Sequence, residues 1–337
     1  MQRRTLLSLL ITLVAYLTLQ LGSMLLSAPV ALAASAPTAS TTPAKWNAAI
    51  LPGPLSQALT ANNVSTSGRN VALTTTSIYE TTTDARVMYA QGSRAARGGA
   101  GLLILDWGQP YYLGNGVYGT YHFGGRAVSD DAILQATKSF IQGVWANRTS
   151  STNLAVAIGE SNYASRYAMP LTATAWYNNG LQWGNLVNKA QGIVATNHYN
   201  KVIGIYGAGD LETAWSSFTL ASSLVNGYNK ASSRLFFDFG DAAPGYWTNE
   251  QLWYVAYGAK NNLPLPEIYY NANASTWGML SRWACTYKGA PMAIRGVMTT
   301  TIGNSAAQSW NAMYQALGAN GCTAKTLPQM LFSTKIS

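Results

Sequence analysis

Along this chain the apolar and polar positions repeat one phrase, a short apolar run that ends on a carboxylate. Leu102–Leu105 is four aliphatic residues without a polar break, followed by Asp106, Trp107 and a Gly/Pro turn. Such a run reads as a strand covered on both faces, the sort found in parallel sheets. The phrase returns in Asn153–Tyr163 with Glu160, in Lys201–Asp210 with Asp210, and in Arg234–Asp241 with Asp238 and Asp241 behind it. Between these runs the apolar spacing turns helical. Asp130–Trp145 sets Ile133, Thr137, Phe140, Ile141 and Val144 on one face, with Asp130 and Asp131 at its positive end. Gln182–Thr196 and Ala214–Tyr228 repeat the pattern, and Thr248 with Gln251 predicts a capping box for the next helix. Pro264–Tyr270 and Pro291–Met298 read as strands, Thr276–Lys288 as a helix stopped by Gly289, and Ser305 with Gln308 as a further cap. Lys325–Phe332 fits a last strand.

Strict alternation of strand and helix means parallel strands joined by right-handed crossovers. An open doubly wound sheet and a closed (β/α)8-type, TIM-like barrel both satisfy it. Connections after strands are long, as from Trp107 to Ser129, whereas those after helices are short, as in Arg148–Thr152. A barrel elaborates its strand-exit loops in that way. No G-x-G-x-x-G and no phosphate-binding P-loop follows any strand. We therefore expect the barrel, over residues 101–337. Residues 55–100 either extend it N-terminally or supply its first strand, with Val71–Tyr79 and Arg86–Ala90 as the strand-like segments.

Composition changes the picture mainly at the N-terminus. Arg3 and Arg4 precede an uncharged run, Thr5–Leu26, and Ser27–Ala33 closes with an A-x-A pattern. Residues 1–33 are thus expected to be a signal peptide, making the protein secreted and free of the membrane after cleavage. The run is also long enough to span a bilayer, so an uncleaved anchor is the alternative. Residues 34–54 form the expected linker, Ser/Thr/Pro/Ala-rich through Ala44. The formal charge is +9, and +7 without Arg3 and Arg4. That excess of base suits either attraction to an anionic cell-wall polymer or simple solubility. No motif points to nucleic acid. With export, Cys285 and Cys322 are expected to form a disulfide; they fall on one outer helix and just past the next.

In a parallel barrel the C-terminal strand ends share one mouth. Asp106, Glu160, Asp210 and Asp238 are therefore the candidate catalytic carboxylates, with Asp241 on the rim. Crowded carboxylates titrate apart, and glycosidic cleavage needs one protonated and one ionised. Any of the four could instead cap a helix or brace a loop, Asp210 above all. Glu212 and Glu250 read as helix-dipole partners, and Glu267 as lying at a strand's beginning, the stability end. Aromatic and amide side chains of the same loops, Trp107, Tyr112, Tyr163, Trp215, Trp247, Asn271 and Trp277, are candidates to hold a sugar. The alternative for the rings is loop packing. Arg295, inside a strand, is expected to need a carboxylate if buried. Only His122 and His198 are present, which excludes H-E-x-x-H zinc chemistry, and Gly159–Tyr163 lacks the last Gly of a serine elbow. We expect neither metal nor cofactor.

With its strands LLILDWG, LAVAIGES and LFFDFGD, the Trp/Tyr-rich chain resembles the glycoside-hydrolase-type TIM barrels over about Leu102–Phe332. The chitinase-like D-x-x-D-x-D-x-E is absent, because Asp238-Phe239-Gly240-Asp241 departs from it after one step. The resemblance implies a polysaccharide or oligosaccharide substrate. It also implies an acid from the fourth strand, which favours Asp238. A barrel that binds a glycan or the cell wall without cleaving it is the rival expectation.

Overall fold

The computed structural model describes residues 72–337. The expected signal peptide, the linker and the start of the 55–100 segment lie outside the described residues. The first strand, β1 (Leu73–Tyr79), comes before the Asp106 strand, so residues 55–100 do contribute to the barrel. Arg86–Ala90 is not a strand. It belongs to helix α1 (Ala85–Arg97), started by Asp84, whose carboxylate accepts from the backbone N–H groups of Arg86 and Val87. Then follow β2 (Ala100–Asp106), β3 (Gln109–Gly114), β4 (Val117–His122) and β5 (Arg126–Ser129). Helix α2 is Asp130–Ala146, β6 Asn153–Ser161, α3 Ala173–Thr196, β7 Ile203–Asp210 and α4 Phe218–Ala231. Strand β8 (Phe236–Asp238) leads to α5 (Asn249–Trp253), with the expected Thr248/Gln251 capping box, and to a π turn, Tyr254–Gly258. The chain closes with β9 (Asn262–Pro264), α6 (Asn271–Tyr287), β10 (Gly296–Thr299), α7 (Ala306–Gly318) and β11 (Phe332–Ile336). Lys325–Phe332 is mostly a 3₁₀ turn, Thr323–Gln329, with β11 directly after it.

Eight of these strands form one parallel sheet in the order β10-β11-β1-β2-β6-β7-β8-β9. The last strand pairs with the first, Leu73 opposite Phe332. The remaining seam, between β9 and β10, is joined by the Glu267–Met298 bridge, where Ile268 N–H donates to the Met298 carbonyl at 2.8 Å. The sheet is thus a (β/α)8 barrel. The long connection after β2 is filled by an antiparallel sheet, β3-β4-β5. It is tied to the barrel where Phe123 N–H donates to the Glu80 carbonyl and Tyr112 N–H to that of Ala168.

Two apolar layers follow from strand periodicity. Leu102, Ile104, Ala155, Ala157, Tyr206, Ala208, Phe237 and Leu265 fill the barrel. Leu103, Leu105, Val156, Ile158, Ile205 and Phe236 face the helices. Close helix contact adds to the outer layer: a Cβ on Gly92 of α1 would meet the Phe140 carbonyl of α2 at 2.0 Å. Cys285 on α6 is bonded to Cys322 after α7, with Cα atoms 6.4 Å apart. Arg295 has no carboxylate partner among the described residues. Burial lowers its pKa, and Tyr257 is the group that favours its charge. Among the described residues no helix is long and apolar enough to cross a membrane.

Candidate active site

Strand phase divides the acids. On β2, Asp106 is in step with Leu102 and Ile104, which fill the barrel, and on β7 Asp210 is in step with Tyr206 and Ala208. Both carboxylates therefore point inward. Glu160 is in step with Val156 and Ile158, and Asp238 with Phe236, so these two point outward to the helix layer. Both Glu160 oxygens accept from Asn179 Nδ2 of α3, at 3.0 and 2.9 Å. Asp238 Oδ1 accepts from the Gly240 N–H. Glu80, directly after β1, is an outward acid as well, held by Gln91 of α1. Of the four strand-end candidates, then, Asp106 and Asp210 enter the mouth, while Glu160 and Asp238 brace the wall.

The inward set gains three acids that the sequence assigned elsewhere or left on the rim. Glu267 is not at a strand's beginning. Backbone pairing continues past β9, so Glu267 sits at the C-terminal end, in step with Leu263 and Leu265, and is 4% exposed. Glu212 is not in a helical turn either, because α4 starts only at Phe218. Oxygens of Asp210, Glu212 and Glu267 lie within 4.8 Å of one another. Asp241 and Asp106 are close enough to raise the pKa of Glu267, as Asp106 does that of Asp210. Two tyrosines complete the group: Tyr269 Oη donates to Glu267 Oε1, and Tyr79 feels the charges of Glu267, Asp106, Asp210 and Glu212.

Burial is the main cause of every shift here. It pushes Asp106 up to about 7, and Glu212, with Asp241 adding to the effect, up to about 8. Asp210 is raised well above the ordinary carboxylate range by burial and then by Glu267, and Glu267 by burial and then by Glu212. The Tyr269 hydroxyl works against this at Glu267, since donating to a carboxylate favours its ionised form.

The loops are fixed by short-range polar contacts. Gly108 has φ +89° and its N–H donates to Asp106 Oδ1; a Cβ there would meet the Tyr121 carbonyl at 2.6 Å. Asn162, fully buried, clamps Glu212 from both sides: its Oδ1 accepts from Glu212 N–H at 2.9 Å, and its Nδ2 donates to the Glu212 carbonyl at 2.8 Å. Nothing in the sequence marked Asn162 beyond its place just after the β6 strand.

Of the aromatic candidates, Trp107 and Trp277 are fully buried in the helix-side core, and Trp247 is buried with its indole N–H on the Ser216 carbonyl. Tyr163 and Trp215 meet edge to face near Asn162, with Tyr163 exposed. Tyr112 packs on Tyr118 within the small sheet, and Asn271 is exposed at the start of α6, bonded to Asn304. Phe123, which sequence reasoning did not single out, is half exposed and lies 4.6 Å, centroid to centroid, from Tyr79. From Thr213, next to Glu212, an open groove of about 420 Å³ runs between the loops after β7 and β8, walled by Ser216, Phe218, Tyr246 and Trp247.

No protein-family model matches the chain, and no curated protein matches it. Among solved structures it is similar to a GH26 β-mannanase from Bacteroides ovatus, at 10% identity and a TM-score of 0.35, over 73% of this chain and 74% of that one. At that score the likeness carries no argument. The fold stands on strand order and register.

Proposed function

We propose that the protein is a glycoside hydrolase that works with retention of configuration. The observation behind it is the approach of Asp210, Glu212 and Glu267 oxygens to within 4.8 Å at the C-terminal mouth of a barrel. Retaining enzymes hold their two carboxyls about 5–5.5 Å apart, and inverting ones wider. Glu267 is the nucleophile: the Tyr269 hydroxyl orients it and favours its ionised form against the burial and the Glu212 charge that raise its pKa. Glu212 is the acid. It is only half-buried, so a substrate can reach it, and its pKa of about 8 keeps it protonated at neutrality. Glu212 gives its proton to the leaving oxygen while Glu267 attacks the anomeric carbon. Glu212 then takes a proton from the water that releases the sugar from Glu267. Asp210 and Asp106 share the mouth with the pair; burial raises the pKa of both, and the positive charge that develops in the transition state would favour their ionised forms.

Counted from β1, the fourth barrel strand is β7, so the acid implied by the resemblance falls to the Asp210–Glu212 segment instead of Asp238. Tyr79 with Phe123, and Tyr163 with Trp215, are the aromatic faces for sugar rings. The basic N-terminus followed by the apolar run and A-x-A pattern supports an exported protein acting on an extracellular polysaccharide.

The test is reducing-end release from a panel of soluble and wall polysaccharides. Glu212→Gln and Glu267→Gln should each lose at least ~10³-fold in rate, and on an aryl glycoside, whose leaving group needs no acid, azide should speed turnover of a Glu212→Ala variant and yield the glycosyl azide. Saturable glycan binding without product at any pH from 4 to 9 would turn the assignment to a binding barrel.

A further inference from the structure

We infer that the glycan taken by this mouth carries free ammonium groups, an amino-sugar polymer in place of a neutral one. The inference rests on the glycan-hydrolase assignment and concerns which glycan that is. Five of the chain's 12 acids, Asp106, Asp210, Glu212, Asp241 and Glu267, gather here, in a protein with 21 Lys and Arg. Among the described residues none of the five forms an ion pair; the ion pairs present are Lys189–Asp131 and Lys288–Glu250, elsewhere on the surface. The charges that weigh most on Asp210 and Glu267 are all negative. Bases associated with the barrel interior sit at its other end. Arg234 stacks on Tyr206 just before β8, and Arg295 precedes β10.

A second observation points to a ligand. Asp106 is 1% exposed and inward, its Oδ1 is taken by the Gly108 N–H, and its Oδ2 has no partner. Asp210 Oδ1 is likewise buried and unpartnered. A carboxyl withdrawn from water with no donor holds its proton, and a cation brought against the cluster would let its members ionise and pair with it. Sugar hydroxyls supply donors but no charge. An ammonium supplies three N–H donors and the charge together. The faces of Tyr79 and Phe123 beside the acids suit the same group, since aromatic rings attract cations. The chain's overall excess of base acts at longer range and is screened beyond about 8–10 Å at physiological salt, whereas the acids lie at contact distance.

The experiment uses the full chain and four probes: glucosamine hexasaccharide, its fully N-acetylated counterpart, mannohexaose and calcium chloride. Binding is followed by titration calorimetry at pH 6 in 50 and 300 mM salt. We expect the amino form to bind at least tenfold tighter than both neutral oligosaccharides, with the advantage shrinking at high salt. Asp241→Asn, at the rim, should reduce that preference severalfold, and Asp106→Asn should do the same if circular dichroism shows it folded. Equal or tighter binding of a neutral oligosaccharide overturns the inference, as does failure of the amino form to bind. Saturable calcium binding that Asp241→Asn or Glu212→Gln abolishes also overturns it, in favour of a metal site. Hydrolysis of neutral polymers alone would leave the hydrolase assignment standing while this inference falls; absence of any hydrolysis on the wall panel would remove the assignment itself.

Discussion

Replacing Glu212 by Gln should make the protein more stable at neutral and alkaline pH while removing its activity. Glu212 is raised from 4.5 to about 8 on folding, first by burial and then by Asp241. A carboxyl whose pKa is higher folded than unfolded holds its proton longer in the native state. Stability is therefore greatest below the unfolded pKa near 4.5, falls as pH rises towards 8, and levels off above it. A tenfold difference in proton affinity corresponds to about 1.4 kcal/mol, so the ceiling on this penalty is about 5 kcal/mol at pH 8 and beyond, and close to zero at pH 4. Glu212 is half-buried, and water reaching it screens the effect, so about 1–3 kcal/mol is the amount expected in practice. For a domain of this size that is roughly 3–10 °C in Tm.

Gln keeps the shape and an acceptor but cannot ionise, and it relieves Asp210 and Glu267 of a neighbouring charge. The assay is thermal unfolding of wild type and Glu212→Gln at pH 4, 6 and 8, by circular dichroism at fixed ionic strength. The two melting temperatures should agree at pH 4 and separate progressively towards pH 8, with the variant higher. A constant offset at all three values, or a variant less stable at pH 8, would refute the reasoning: Glu212 would then be held by contacts that favour its charge. The gain in stability and the loss of rate should appear in one protein, as expected where crowded acids are kept for chemistry.

Activity should follow a bell in pH, with the upper limb near 8 from Glu212 and the lower limb from the ionising nucleophile, read from kcat/KM. Tyr269→Phe removes the donor that favours ionised Glu267, so the lower limb should move to higher pH; an unmoved limb would free Tyr269 from that role. Glu160→Gln should stay folded and within a few-fold of wild-type activity, because Glu160 points outward and is bonded to Asn179; abolished turnover in a folded variant would return it to the mechanism. The paired substitution of Cys285 and Cys322 by Ser opens a link of sequence separation 37 and should cost up to about 4 kcal/mol, measured as a lower denaturant midpoint with a slope equal to or steeper than wild type, since the unfolded chain is freer to expand.

The barrel was legible because its strands are buried on both faces. Leu102–Leu105 and Val156–Ile158 stand out as unbroken apolar runs between helical spacings. β1 was legible only as a strand-like segment, Val71–Tyr79, because its inner face is polar. Ser77 Oγ lies 2.7 Å from Thr334 Oγ1 and accepts from Ile104 N–H at 2.8 Å, so Thr and Ser stand where aliphatic residues stand elsewhere. Counting from the Asp106 strand instead of from β1 shifts the number by one, which is why Asp238 took the place of the Asp210–Glu212 segment. Around Glu267 the difficulty was proline. Pro264 and Pro266 break the strand signal, yet their carbonyls still accept from Arg295 and Met298 N–H groups and carry the pairing forward to Glu267.

Strand phase was the part that no local pattern could supply. Asp106-Trp107-Gly108 and Asp238-Phe239-Gly240 share one contact, each carboxylate accepting from the N–H two residues on. In the first the carboxylate enters the barrel and the aromatic ring faces the helices; in the second the ring of Phe239 fills the barrel and the carboxylate faces out. A half-buried strand would reveal its phase through alternation of polar and apolar residues. These strands are apolar on both faces, so a slip of one residue leaves the hydrophobic pattern unchanged while exchanging an acid that enters the barrel for one that faces the helices. The phase is set by long-range register, Asp106 opposite Gly159 and Asp238 opposite Gly209 and Pro264. The acids that do enter the mouth can be told from the bracing ones only once that register is known.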